Sequence, residues 1–281
     1  MEFITGELVR AGADRGTLLV GFGGGVIGDI TGFVASVYLR GVECVHIPTT
    51  LLAQIDSSVG GKTGVNLRAG KNLVGTFHHP RRVIVDPEVL GTLPERELRA
   101  GLYEAIKCAV IRSRPLFDFL EQNREALLAK DRPALTRVIH DCLAIKARVV
   151  SEDEKERDLR RILNFGHTVG HALEAETSYR YFLHGEAVAW GMRAATLIAE
   201  ERRMIRTIEA ARIHALLMGY GRLPALVRLE PVHLAARLSA DKKTRNGVLH
   251  FVLPERIGKV RVVAGVEDQA VARALEALMN E

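Results

Sequence analysis

A short apolar run, Thr17 to Phe22, passes directly into Gly23-Gly24-Gly25-Val26-Ile27-Gly28-Asp29 and then into an apolar pattern of helical period from Ile30 to Leu39. A buried strand, a glycine turn and a helix in immediate succession require a layered α/β unit with a parallel sheet, because the helix must pack back on the strand that feeds it. Gly23, Gly25 and Gly28 satisfy G-x-G-x-x-G. Two readings fit that match: a loop whose backbone N–H groups and helix N-terminus receive a phosphate, or a tight strand-to-helix turn and nothing more.

Further strand-like runs follow at Val42 to Pro48 and at Arg82 to Pro87, with a helix candidate at Leu51 to Ser58 between them. Thr49 and Thr50 stand where hydroxyls meet ligands at the carboxyl edge of such a sheet. Gly60-Gly61-Lys62-Thr63 resembles part of a P-loop, but the first glycine of G-x-x-x-x-G-K-[ST] falls on Asp56. A nucleoside triphosphate site is thereby excluded. The lysines and amides of Lys62 to Asn72 suit a polyanionic ligand, or form a solvated glycine-rich loop. From Glu95 to about Met218 the apolar spacing is three and four, broken near Pro115, Pro133, Glu152 to Asp158 and Tyr179 to Leu183. The spacing predicts an α/β part over 1–94 and a helical part over 95–281. In the latter, a helix after Pro231 precedes an exposed basic turn at Asp241 to Gly247, a strand at Val248 to Leu253 and a closing helix from Glu267.

His167 and His171, four residues apart in Asn164-Phe165-Gly166-His167-Thr168-Val169-Gly170-His171, project from one helix face, with Glu174 a turn further. This is metal or proton-transfer geometry, or a solvated face. His184 adds a third imidazole and Glu104 a carboxylate on a helix-like segment, and two histidines with one carboxylate make a common catalytic divalent-metal set. Glu174 and Glu186 either orient imidazoles or stay exposed.

Composition narrows the class. The chain has 281 residues, 47% hydrophobic and 26% charged, and no apolar run of the roughly 18 to 20 residues that a bilayer span needs. Three cysteines without C-x-x-C spacing argue against a disulfide framework or a thiolate zinc site. A net charge of +5, spread along the chain with only 5% aromatics, fits an anionic small molecule and gives little support to nucleic-acid binding. A cytoplasmic enzyme, not a membrane protein, is the expectation.

Together these stretches resemble the 3-dehydroquinate synthases of the sugar phosphate cyclase group. The resemblance is carried by Gly23 to Phe33, Tyr38 to Gly41, Pro48 to Asn66, Gly70 to Asn72, Thr92 to Pro94, Glu104 to Lys107, Leu163 to Glu174, His184 to Glu186 and Asp241 to Lys243. It implies a two-domain fold, a Rossmann-like α/β domain followed by a helical metal-binding domain, and an NAD- and metal-dependent lyase of the shikimate pathway. Such an enzyme converts a heptulosonate phosphate to 3-dehydroquinate and phosphate. Zinc or cobalt would be held by Glu104, His167 and His184, so that His171 is not a ligand but handles protons near the substrate beside Lys107, Lys146, Arg160 and Asn164. Arg40, Asp56, Lys62, Asn72, Lys242 and Lys243 would contact substrate. Cofactor contacts would fall on Gly25, Val26, Ile27, Gly28, Asp29, Thr49, Thr50, Lys62, Lys71, Val89, Leu90, Gly91 and Thr92. A homodimer is implied as well.

The chain departs from the family at its front, where it reaches the glycine loop within 23 residues, so the nucleotide-binding sheet is expected to be incomplete and to expose an edge. Tyr103 stands where the family has a small residue. The alternatives are another cyclase, such as a 2-deoxy-scyllo-inosose synthase, and a shortened non-catalytic homologue.

Overall fold

The computed structural model describes residues 1–67, 70–156, 158–226, 230–231, 233–234, 238 and 250–280, without the side chains of 66, 67 and 70–72. After a first helix α1 (Glu2–Arg10), strand β1 (Leu18–Gly23) leads through the glycine loop into α2 (Gly25–Val37), and β2 (Glu43–Pro48) pairs parallel to β1 with Leu18 opposite Glu43 and Gly23 opposite Pro48. This is the β–loop–helix–β unit that the sequence predicts.

Two expectations for the sheet change. Its order is β1-β2-β5, with β5 the short strand Arg82–Val83, which leaves β1 with one neighbour among the described residues; Leu18, Val20 and Phe22, which share one face of β1, are 46%, 54% and 64% exposed instead of buried. The run from Arg82 to Pro87 yields only β5 (Arg82–Val83), after which Ile84 is half exposed and the Asp86 carboxylate accepts the Glu88 N–H at 2.9 Å to start a 3-10 helix, Pro87–Thr92. A capping carboxylate followed by proline ends the strand there.

The candidate helix at Leu51 to Ser58 closes as a π-helical turn, Ala53–Ser57, in which the Ser58 N–H reaches the Ala53 carbonyl. The buried Gln54 amide pins this turn by donating to the carbonyls of Pro48 and Asp86. The wider turn is a form found often at functional sites. What read as a glycine-rich loop is an antiparallel hairpin, β3 (Lys62–Leu67) with β4 (Gly70–Phe77).

The helical part comprises α3 (Glu95–Arg112), α4 (Arg114–Gln122), α5 (Arg124–Leu128), α6 (Arg132–Glu152), α7 (His167–Glu176), α8 (His184–Glu201) and α9 (Thr207–Gly219), with a 3-10 helix at Leu159–Asn164. Both expected proline breaks are helix starts: Ser113 caps α4 and Asp131 caps α6, each with proline in the first turn. The strand expected at Val248 to Leu253 is β6 (His250–Arg256), which forms a hairpin with a strand absent from the periodicity reading, β7 (Lys259–Ala264); the hairpin precedes α10 (Asp268–Met279), and β6 packs on α8. The helix expected after Pro231 and the basic turn at 241–247 lie largely or wholly outside the described residues.

Glycine sets how closely the site helices meet. A Cβ on Gly191 of α8 would stand 1.8 Å from the Gly166 carbonyl oxygen, and one on Gly185 would stand 2.0 Å from that of Ala100. Without side chains at these positions α8 lies against both the start of α7 and the middle of α3, which brings His167, His184 and Glu104 to one point. The main core is continuous across these helices, while a small second cluster, Val34, Ala35, Tyr38, Val42 and Cys44, sits between α2 and β2.

Candidate active site

Glu104 is 0% exposed on α3, and neither of its oxygens has an aligned hydrogen bond. Lys107 Nζ, one turn on, is 2.5 Å from Oε2 as a charge contact. On the other side, Nε2 of His184 is 3.6 Å and Nε2 of His167 is 3.9 Å from Oε1. Their Nδ1 atoms are already committed, His167 at 3.2 Å from the Phe165 carbonyl and His184 at 3.2 Å from Glu174 Oε2. Both partners can only accept, so each Nδ1 carries the proton and each Nε2 presents its lone pair toward the buried carboxylate.

This is a metal-ready set: two imidazoles fixed in tautomer and orientation, and one buried carboxylate that turns one oxygen to them while Lys107 sits at the other. His171 also comes to the cluster, its ring centroid 5.3 Å from that of His167 and 5.9 Å from that of His184. One nitrogen of each of the three imidazoles lies within 4.8 Å of the others, so a three-histidine set exists beside the set containing Glu104.

Electrostatics divide the two imidazoles. Burial, reinforced by Lys107 and by the neighbouring histidines, pushes His167 well below its ordinary value and keeps it a neutral donor. Burial opposes the charged form of His184 too, but the hydrogen bond to Glu174 and the charge of Glu104 win, and its pKa rises.

A second cluster adjoins. The Asp56 carboxylate, delivered by the π turn, pairs with Lys146 of α6 and lies 3.5 Å from Lys107 Nζ. Burial raises the Asp56 pKa, yet the two lysines overcome it and hold the group ionised. Lys107 is likewise raised, its burial outweighed by Asp56 and Glu104, whereas Lys146 is lowered by burial despite Asp56. Asp29 of α2 is pushed up to about 6 by burial, against the pull of Lys146. Arg160 is buried, donating to the Gly60 carbonyl at 3.1 Å and to that of Glu154.

The structure therefore brings together Asp56, Glu104, Lys107, Lys146, His167, His171 and His184, with Arg160 and Asn164 on the adjoining 3-10 helix. Lys62 and Asn164 meet through Glu156, which pairs with Lys62 and accepts from Asn164 Nδ2 at 2.7 Å. Sequence reading missed Glu156, because it lies in a segment legible only as a helix break. Asp153 was missed for the same reason: its Oδ2 accepts the N–H groups of Asp158 and Arg160 at 2.8 and 3.0 Å and so turns the chain that presents Arg160. Of the two open glutamates, Glu174 orients His184, while Glu186 takes both Arg96 nitrogens at 2.7 Å and the Leu183 N–H, and so caps α8.

Gly25, Val26, Ile27, Gly28 and Asp29 form the start of α2, with Thr49 and Thr50 beside them: the Thr49 N–H donates to the Gly23 carbonyl, and a Cβ on Gly24 would meet the Thr50 methyl at 3.1 Å. Val89, Leu90, Gly91 and Thr92 lie in the 3-10 helix after β5, with Leu90 fully buried in the helical core and Lys130 Nζ holding the carbonyls of Gly91 and Leu93. Arg40 is exposed in the turn before β2, at the opposite end of that strand from Thr49. The side chains of Lys71 and Asn72, and Lys242 and Lys243 entirely, lie outside the described residues. Tyr103 is buried beside Glu104, its hydroxyl 3.4 Å from the Gly221 carbonyl.

The N-terminal family model of 3-dehydroquinate synthase matches residues 1–100 and the C-terminal model matches residues 101–244. A curated 3-dehydroquinate synthase of Koribacter versatilis (strain Ellin345) is 52% identical over 278 residues, which is 99% of this chain and 76% of that protein. The chain belongs to the 3-dehydroquinate synthase family. Among solved structures it resembles ValA, a 2-epi-5-epi-valiolone synthase from Streptomyces hygroscopicus subsp. jinggangensis 5008 with NAD+ and Zn2+ bound, at TM-score 0.91 and 33% identity over 99% of this chain and 78% of that one. It also resembles a 2-deoxy-scyllo-inosose synthase complexed with carbaglucose-6-phosphate, NAD+ and Co2+, at TM-score 0.87 and 29% identity over 98% of this chain and 77% of that one. The two-domain family fold holds, and no helix among the described residues is long and apolar enough to cross a membrane.

Proposed function

We propose that the chain is a 3-dehydroquinate synthase, converting 3-deoxy-D-arabino-heptulosonate 7-phosphate to 3-dehydroquinate and inorganic phosphate. The observation that carries the reading is the buried Glu104 carboxylate faced by two Nε2 lone pairs whose Nδ1 protons are locked, with the Asp56, Lys107 and Lys146 network alongside. Glu104, His167 and His184 would hold one divalent cation, zinc or cobalt; the glycine loop, Asp29, Thr49 and Thr50 would receive NAD.

Held by Glu104, His167 and His184, a divalent metal would supply Lewis acidity to the vicinal diol of the substrate, and NAD at the glycine loop would supply a reversible hydride acceptor, so that no NADH would accumulate. The chain's residues do the rest. The lysine and aspartate network orients the hydroxyls through charged donors and one ionised acceptor in a water-poor pocket. Lys146, lowered by burial, and the more exposed His171 are placed to hand protons to and from the sugar. Arg160, Asn164 and Lys62 supply cationic and amide donors to the carboxylate and the departing phosphate.

We assign residues 1–94 to the nucleotide-binding domain and 95–281 to the metal- and substrate-binding domain, in a cytoplasmic homodimer. The 52% identity to a 3-dehydroquinate synthase against 29% to a 2-deoxy-scyllo-inosose synthase favours the heptulosonate phosphate over glucose 6-phosphate. Phosphate release from each substrate, with NAD and zinc supplied, tests this. Release from the heptulosonate phosphate, lost with chelator and restored by zinc or cobalt, is expected; release from glucose 6-phosphate alone would sink the assignment.

A further inference from the structure

We propose that His46, Ser57 and Ser58 enclose one internal water beneath the glycine loop, and that this water locks the π turn to the start of α2. His46 is then a positioning residue for two elements, the one that begins with the glycine loop and the one that carries Asp56. The consequence for NAD rests on the function proposed above; the water site does not.

Alternation along β2 turns Cys44 and His46 to the same face, toward α2. Cys44 joins the apolar cluster of Val34 and Ala35, the ordinary choice for a helix–sheet layer. His46 breaks that pattern. It is 5% exposed, and neither ring nitrogen has a hydrogen bond among the described residues. Gly28 and Gly32, one turn apart on α2, make room for the ring, since a Cβ on them would stand 3.9 and 3.7 Å from its nitrogens. Burial pushes His46 below its ordinary value, against a pull from the Ser58 backbone. The ring is therefore neutral at neutral pH, with one donor and one acceptor to satisfy.

Two further polar groups share its situation. The hydroxyl oxygens of Ser57, in the π turn, and Ser58, at its end, are buried and have no hydrogen bond among the described residues. All three side chains line one cavity of about 10 Å³ together with Gly23, Gly24 and Gly25 of the glycine loop. That is about the room that one water needs. The lining carries no charged side chain, so it matches a neutral ligand and not an ion. A water, with two protons and two lone pairs, answers the ring and both hydroxyls at once. Its place matters because Asp56 immediately precedes Ser57, and Ser57 Oγ would lie 3.0 Å from a Cβ on Gly25, the first residue of α2.

The test is a crystal structure of the full chain, with amide hydrogen exchange of wild type, His46→Gln and His46→Leu. One water within hydrogen-bond distance of the His46 ring and a serine hydroxyl is expected; a ring bonded directly to either serine, with no water between them, overturns the proposal. In His46→Leu, which keeps bulk but no polar atom, exchange at residues 24–28 and 53–58 should rise about tenfold, as loss of a buried hydrogen-bond partner predicts. His46→Gln keeps a donor and an acceptor and should exchange much as wild type does. Unchanged exchange in folded His46→Leu, or an equal rise in both variants, overturns the positioning role. If His46→Leu does not fold, the wild-type density and His46→Gln decide. Calorimetric titration with NAD separates the two readings: weaker binding by His46→Leu than by His46→Gln is expected, while a wild type that binds no NAD sinks the function proposed above and leaves the density and the exchange rates to judge this inference.

Discussion

Replacing Glu174 by alanine tests the metal-ready geometry at a residue that is not itself a proposed ligand. Glu174 is buried on α7 and stands 3.2 Å from His184 Nδ1 across the α7–α8 contact. Its carboxylate does two things: it fixes the proton on Nδ1, which leaves Nε2 as the donor 3.6 Å from Glu104 Oε1, and it holds the ring in that orientation. Without it the Nε2-protonated tautomer and other ring rotations become available. Loss of such an orienting partner costs 10- to 100-fold in metal affinity, about 1.4 to 2.7 kcal/mol. Competition between the protein and a chelator of known zinc affinity measures this directly. Glu174→Gln, which keeps an acceptor oxygen but not the charge, should fall between wild type and Glu174→Ala. Should zinc affinity stay within twofold of wild type in a folded Glu174→Ala protein, His184 is not oriented by Glu174 for metal, and the argument from committed Nδ1 protons fails.

Two further outcomes follow from packing and charge. Gly191→Ala places a methyl 1.8 Å from the Gly166 carbonyl oxygen, backbone that cannot swing aside, so α7 and α8 must separate. A stability loss of at least about 3 kcal/mol is expected in urea unfolding, along with weakened zinc binding, and a variant as stable as wild type would contradict the close approach. Asp29 has its pKa raised by burial from 3.8 to about 6, so the native state binds more protons than the unfolded chain between those values, and stability falls as pH rises through that window. Asp29→Asn should therefore be the more stable protein above pH 6. The ceiling is about 3 kcal/mol, and solvent screening of this partly exposed group reduces it to on the order of 1 kcal/mol. The advantage should vanish below pH 4; urea midpoints of the cofactor-free protein across pH decide, and an advantage that persists at pH 3.5 would contradict the cause given.

Much of the site was legible because its residues are carried by local patterns. The pair of histidines one helical turn apart, the glycine turn and the breaks at Pro115 and Pro133 each depend on neighbours within a few positions, and each appears where its spacing puts it. Glu156 and Asp153 were invisible for the converse reason: nothing local separates a loop carboxylate that meets a lysine 94 residues away from one that meets water. The hairpin β3–β4 was read as a loop because its glycines, which permit two backbones to approach, also mark turns.

Local pattern along the chain carries most of the order of elements, the chemistry of the donors and, through many separated motifs, the family. Long-range packing alone takes the solvent from Glu104, commits the Nδ1 protons of His167 and His184, and leaves β1 at the edge of its sheet. The physical reason is range. Propensity and capping act within a turn or two of the chain, whereas desolvation, tautomer choice and strand order arise from groups brought together across the whole of it.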